Sequence, residues 1–465
     1  MGQLIPAIGA GGSVLMGDQG KPQPAMLGDL LDDYSRQRVP AEEGRGYLKL
    51  TLVFLGICIA IPSFLLGSAL VGGLGLRQAV AAIVLGTFVA APICVAAAHV
   101  GARVRISTAM LLKRTFGDAG ARLISAIVAI DMFCWFAVNT EIFGRSIQYT
   151  LQTIAHVSVE RWVLCVAAGV LLTAVTIFGY RSVEKVAAIS VPLLVVVLFA
   201  YMAQALIHTP FAPVWASGPL GRPISFATGT SIVAGTFLSV CVLLPDFTRY
   251  ARSAKHSAIS ILIGLCIGGF PPFVFMGAYL TAATGEPDFV RVMLSHGWGL
   301  AAIGVIALTC WGHMNATLYS AGLNLAVMVQ NVAKWKLTAL AGIAGTCIAL
   351  FGIVGRYVPF LVVLSVVLPP IAGVYTADYF ARRSSYAEGE SSSSRVSVGA
   401  LIAWAAGIAV GFLTGPRGET GFGLFELTRV PAIDSFIVSF AAQFLIAKGA
   451  VLLTPRNSEA LPESE

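Results

Sequence analysis

Gly56-Ile-Cys-Ile-Ala60-Ile-Pro62-Ser63 interrupts the first long apolar run of the chain, and its reading decides the fold. Pro62 removes a backbone donor and its ring clashes with the turn before it, so a helix through this stretch breaks. A second run, Gly229-Thr-Ser-Ile-Val-Ala-Gly235-Thr-Phe237-Leu-Ser239, is rich in small residues that let a helix open or another backbone approach. By hydropathy these are the first and the sixth of about twelve spans. Broken spans at corresponding positions of two halves mark the midplane site of a secondary transporter. Pro and small residues are common in membrane helices, so the weight rests on the spacing of the two breaks.

The composition agrees. Of 465 residues 57% are hydrophobic and only 11% charged, with mean hydropathy +0.83. Soluble domains carry roughly twice that charged fraction. The expected fold is therefore an all-α polytopic membrane protein with a five-plus-five inverted repeat and two appended helices. Repeat one is expected over about 49–207, repeat two over about 227–381 and the appended helices over about 397–454. These lie within a transporter domain of 34–455, flanked by a disordered tail at 1–33 and a short acidic tail at 456–465. The start lacks a basic region before an apolar core, which excludes a signal peptide.

The net charge of +7 is a topology signal, not one for nucleic acid. Alternate loops hold most of the Lys and Arg, an asymmetry of about threefold, which places those loops and both termini in the cytoplasm of a cell (inner) membrane protein. The eight cysteines fall within apolar segments with no CxxC or histidine partner, so neither disulfide nor zinc site is expected. HExxH, a GxSxG elbow and clustered acidic pairs are absent, which argues against an intramembrane enzyme. A channel is disfavoured because two broken spans and an aromatic-amide site fit an occluding carrier.

The third span, 121–152, carries Asp131-Met-Phe-Cys-Trp135-Phe-Ala-Val-Asn139-Thr-Glu141-Ile-Phe-Gly-Arg145 where only apolar residues are cheap. Asp131, Trp135 and Asn139 follow at i, i+4, i+8 on one helical face. An aromatic plate with an amide one turn above suits a flat, hydrogen-bonding ligand such as a nucleobase. Glu141 and Arg145 point away from that face and read as a structural pair near the outer end. In the eighth span, Thr309-Cys-Trp-Gly312-His313-Met-Asn315 puts a histidine near the span centre, suited to a proton relay or to a bond between helices. Asp246, Arg249 and Arg252 fall where the sixth span ends and read as solvated or lipid-facing.

Together these residues resemble the nucleobase–cation symport family of cytosine and purine permeases, related in fold to the bacterial hydantoin transporter. The resemblance spans about 34–450. It is carried by Arg38-Val-Pro40, Trp135-Phe-x-x-Asn139, Gly235-x-Phe237-x-Ser239, Asp246-Phe-x-Arg249-Tyr, Asn315-x-x-x-Tyr319 and Pro369-Pro370 through Ala377-Asp378-Tyr379. It implies a secondary importer of a cytosine- or purine-type base, with the ring held between Trp135 and Phe237. Asn139 would bond the ring edge, Gly235, Thr236 and Ser239 would read the base, and Asn315 with His313 would close the pocket. Another small heteroaromatic, such as a hydantoin, a hydroxymethylpyrimidine or a vitamin, is the alternative cargo.

No cofactor is implied beyond a coupling cation, H+ or Na+. Sodium-coupled relatives use first-span carbonyls, matching Ala60 and Ser63, with adjacent hydroxyl residues on the eighth span. Gly312 and His313 stand at the latter positions, and neither offers a neutral oxygen side chain. Proton coupling through His313 or Asp131 is therefore expected, with a relocated sodium site at Thr309 as fallback.

Overall fold

In the computed structural model the first span is broken where Pro62 requires. The structure describes residues 34–453 except 178–179, 330, 388–394 and 419–420, together with 14–16 and 22–24. Helix α1 (Tyr47–Cys58) and helix α2 (Ile61–Leu74) meet at 53° across Ile59 and Ala60, the latter fully extended at φ −134°, ψ 148°. Proline has no N–H for the Cys58 carbonyl one turn back. That carbonyl instead accepts from the Ser63 hydroxyl at 2.6 Å and the Ala60 amide at 2.9 Å.

The remaining spans follow in order. They are α3 (Leu76–Val104), α4 (Thr108–Ile154), α5 (Arg161–Thr176), α6 (Tyr180–His208) and α7 (Phe226–Thr248). After them α8 (Ala254–Ile261) and α9 (Phe270–Thr284) share the seventh span, joined by a π turn at Leu262–Ile267. Next are α10 (Gly299–Met328), α11 (Lys334–Leu350), then α12 (Tyr357–Val367) and α13 (Pro369–Ala381) as the two parts of the tenth span. The appended helices are α14 (Val398–Thr414) and α15 (Pro431–Leu453). Among the described residues eight helical stretches are long and apolar enough to cross a bilayer, and the α1–α2 pair makes a ninth. Helices α5, α11 and α14, of 16, 17 and 17 residues, fill the other three positions at the short end of what spans a hydrocarbon core.

Packing repeats with a shift of five spans. The second span packs on the sixth, and the seventh correspondingly on the first; the fifth packs on the first, as the tenth does on the sixth. The third and eighth lie against each other, with the fourth on the third and the ninth on the eighth. Because five is odd, the second set crosses in the opposite sense, which makes the repeat inverted. The appended α15 lies against α13 and α14.

The sixth span departs from expectation. Helix α7 runs unbroken through Gly229–Ser239. Its small residues serve close approach instead: a Cβ on Gly235 would lie 2.2 Å from Ser365 Cβ on α12, and one on Gly229 would lie 2.5 Å from Leu74. The second repeat breaks elsewhere, before Phe270-Pro271-Pro272 in the seventh span and at Leu368-Pro369-Pro370 in the tenth. Two glycines mesh across the first and seventh spans. A Cβ on Gly67 would sit 2.0 Å from Val274 O, and one on Gly277 would sit 2.1 Å from Phe64 O, so α2 and α9 touch backbone to backbone.

Of the expected disordered tail at 1–33, the described residues are Val14–Met16 and Pro22–Pro24, which pair antiparallel; the rest lies outside the described residues, as does the tail at 456–465.

Candidate functional site

The break in the first span opens onto a central cavity. Ile57, Pro62 and Ser63 line it from one side, Trp135 from α4, Thr236 and Ser239 from α7, and His313 from α10. Its volume is about 30 Å3, room for roughly two waters, so a ring enters only when the walls part. Trp135 is 7% exposed and turned inward, with His313, Tyr357 and Phe360 edge-on to its indole at centroid distances of 5.8, 6.3 and 5.3 Å. Such edge-to-face contacts fix the plane of the indole before any ligand arrives.

His313 spans the gap between the first and eighth spans. Its Nδ1 lies 2.6 Å from the Ile57 carbonyl, which the break has released from its helical partner. A carbonyl only accepts, so Nδ1 carries the hydrogen, and Nε2 is buried with no partner among the described residues. Behind Ser239 lies Asp131, 4% exposed, whose Oδ2 accepts from the Ser239 hydroxyl at 3.5 Å while Oδ1 has no partner among the described residues. The carboxyl therefore reaches the cavity wall through Ser239 and does not itself line it.

Ser63, Trp135, Thr236, Ser239 and His313 are thus brought together. Others are not. Phe237 lines a separate small void with Phe270 and Val274, its ring 5.0 Å from that of Phe270, so no sandwich with Trp135 forms. Phe270 lines both voids. Asn139 donates back to Trp135 O at 2.8 Å within its own helix and does not line the cavity. Asn315 is fully buried outside the lining, and Gly235 is spent on Ser365.

The oxygens expected to hold a cation also bond within their own segments. The Ala60 carbonyl accepts from Ser63 N at 2.9 Å, the Ser63 hydroxyl is turned to Cys58 O, and the Thr309 hydroxyl bonds Val305 O at 2.6 Å. Among the described residues no three His, Cys, Asp or Glu side chains converge as a metal site would need. Sequence reasoning missed Phe270 and Tyr357. The Gly268-Gly269-Phe270-Pro271-Pro272 run was the available signal for the first. Tyr357, whose hydroxyl donates to Pro62 O at 2.9 Å, carried none.

Three charged side chains also differ from or extend the expectation. Glu141 is fully buried; it is paired with Arg145, lies 3.4 Å from Arg161 and accepts from Val354 N at 2.9 Å. The expected outer pair is therefore a knot joining three spans. Asp246 and Arg249 are not solvated: both are 0% exposed. Arg249 donates to Tyr34 O at 2.8 Å, Tyr319 OH at 2.7 Å, Tyr250 OH at 3.2 Å and Asp246 O at 3.2 Å, and Asp246 accepts from Thr108 N at 2.7 Å. The cause is the segment before α1, which folds beneath this face. Arg36 donates to the carbonyls of Ala326, Val329 and Val332, and Arg105 to those of Val39, Pro40 and Ala251.

Comparison with known proteins places this geometry. A family described as "Permease for cytosine/purines, uracil, thiamine, allantoin" matches residues 39–433. The cytosine permease of Escherichia coli (strain K12) is 28% identical over 384 residues, 82% of this chain and 89% of that one. The allantoin permease of Bacillus subtilis (strain 168) is 22% identical over 362 residues, 70% and 74% of the two chains. Among solved structures, Mhp1, a nucleobase-cation-symport-1 family transporter in a closed conformation with bromovinylhydantoin bound, superposes with a TM-score of 0.73 at 18% identity over 90% of this chain and 94% of that one. A Na+-coupled sialic acid symporter shares the fold at a TM-score of 0.60, with 14% identity over 91% and 93%.

Proposed function

Because the chain belongs to the cytosine/purine permease family and is a multi-pass membrane transporter, not an enzyme, we propose that it imports a cytosine- or purine-type base in symport with a proton. The observation that carries the reading is the cavity at the first-span break, where an inward-facing indole meets the hydroxyls of Ser63, Thr236 and Ser239 and one bare imidazole nitrogen. Stacking on an indole contributes roughly 1–3 kcal/mol per base and accepts any ring; the polar atoms around it then select among rings.

Proton coupling is favoured by the same geometry. The His313 imidazole bridges the first and eighth spans, and the hydroxyls of Ser63 and Thr309 donate their hydrogens to Cys58 O and Val305 O. Sodium prefers oxygen ligands, whereas imidazole and carboxyl groups carry protons. His313 and Asp131 are the two candidate carriers. The excess of Lys and Arg in alternate loops supports a cell-membrane orientation with both termini cytoplasmic.

The test is uptake of labelled cytosine into proteoliposomes under an imposed pH gradient without sodium, with unlabelled bases, allantoin and a hydantoin as competitors. Accumulation that collapses with a protonophore is expected. Strict dependence on sodium overturns the coupling, and preferential competition by allantoin or hydantoin over every base overturns the cargo. Acceleration of labelled efflux by external substrate separates a carrier from a channel.

A further inference from the structure

We infer that His313 reads the hydrogen-bond-acceptor edge of the base, and does so only after taking the transported proton at Nε2, so that one imidazole is both coupling site and specificity determinant. The inference rests on the proposed nucleobase–proton symport and adds which edge of the ring faces α10.

The argument starts from the broken helix. In an intact first span the Ile57 carbonyl would accept from the amide one turn on; the break leaves it to His313. That bond locks one tautomer, with hydrogen on Nδ1. The ring's remaining polar atom, Nε2, is buried and unpartnered in a residue that lines the cavity. Neutral, it is a bare acceptor and favours a ligand N–H. Protonated, it is a charged donor and favours a carbonyl or pyridine-like nitrogen, with hydrogen bonds roughly twice as strong as neutral ones.

Symport fixes which case applies. Two ligands travel together only if both can be bound at once, and any gain one gives the other's affinity is returned in full. A base presenting N–H to Nε2 would compete with the proton for the same lone pair, and the two would be antagonists. A base presenting C=O or a ring nitrogen is instead held by the proton. The acceptor edge must therefore face His313. Trp135, edge-on to the same imidazole at 5.8 Å, sets the plane in which that edge arrives.

The surroundings leave Nε2 as the site of exchange. Of the titratable groups on this side, α4 contributes Asp131, which reaches the cavity only through Ser239, and α12 contributes Tyr357, held by Pro62; the thiols of Cys58, Cys134 and Cys310 lie outside the lining. Helices α2 and α7 present hydroxyls, and α5, α6 and α11, which also pack on α10, carry their charged residues at their ends. Among the described residues no carboxylate lies within ion-pair distance of the ring, so no fixed anion holds the proton when the base leaves.

The experiment uses the full chain in nanodiscs, with equilibrium binding of cytosine, adenine and uracil from about pH 8 to about pH 5, a range spanning imidazole titration. Affinity for the base that binds should strengthen up to tenfold per pH unit on acidification, the limit for one linked proton. His313→Gln, which keeps a polar side chain but cannot titrate, should abolish the slope. Ring 15N signals of labelled histidine, assigned by loss in His313→Gln, should show hydrogen on Nδ1 and none on Nε2 in the free protein near neutral pH, and hydrogen on both once base is added. Binding that weakens on acidification, or a slope that survives His313→Gln, overturns the inference. If no base binds, the cargo reading fails, and the free-protein spectrum alone decides for His313: hydrogen on Nε2 rejects the lock.

Discussion

Replacing Arg249 by leucine removes a cation from a place with no route to water. The guanidinium is 0% exposed and donates to two tyrosine hydroxyls and two backbone carbonyls, while the equally buried Asp246 carboxylate keeps its bond from Thr108 N. Arg249 bonds the backbone carbonyl of Asp246 and acts on its carboxylate only through space. Deleting the cation thus costs less than the roughly 3–5 kcal/mol lost when one partner of a directly bonded buried pair is removed, yet still leaves the carboxylate uncompensated. Removing both charges is far cheaper. Arg249→Leu should therefore be strongly destabilised, and Asp246→Asn combined with Arg249→Leu should recover much of the loss, a coupling well above the roughly 0.3–0.5 kcal/mol at which distant sites add. The assay is built into the chain: six of its eight cysteines are buried, so a thiol-reactive dye in detergent reports unfolding over a small background from exposed Cys347 and half-buried Cys134. If the single variant melts with the wild type, or the double variant is as weak as the two singles summed, the buried cluster does not hold this face together.

Other outcomes follow from the cavity and its walls. Trp135→Ala should weaken base binding by about 1–3 kcal/mol, roughly 5- to 150-fold, in a direct binding assay on purified protein. Phe270→Leu should lower affinity more than Phe237→Leu, since only Phe270 lines the central cavity; the reverse order would restore the sixth-span sandwich. Asn139→Ala should leave affinity within about tenfold, because its amide is bonded within its own helix. Gly277→Val should prevent stable accumulation of the protein, since even a Cβ there meets the Phe64 backbone at 2.1 Å; a well-folded variant on size-exclusion chromatography would refute the meshing of α2 and α9.

The spans were legible because the bilayer imposes one dominant rule, and Pro62 announced its break because proline lacks an amide hydrogen. The sixth span misled for a reason intrinsic to glycine: a small residue permits unwinding and close packing alike, and only the neighbour decides. Ser365, far away in sequence, is that neighbour. Asn139 shares a helical face with Trp135, yet a side-chain amide can satisfy itself on the carbonyl one turn back, which periodicity does not register. Arg249 looked solvated because it closes an apolar run; the segment from Tyr34 that covers it carries no hydropathy signal. Trp135 and His313, which line the cavity, stood out in the sequence because large polar-edged rings in mid-span are expensive without a purpose.

The meshed glycines of α2 and α9 reduce the number of independent moving parts. With no side chain between them to slide or repack, the second half of the first span and the second half of the seventh share one displacement. A push delivered beside Ser63 thus arrives at the π turn before Phe270 undiminished by soft material, and the two-residue joint at Ile59–Ala60 has to absorb whatever rotation the rest of the first span does not follow.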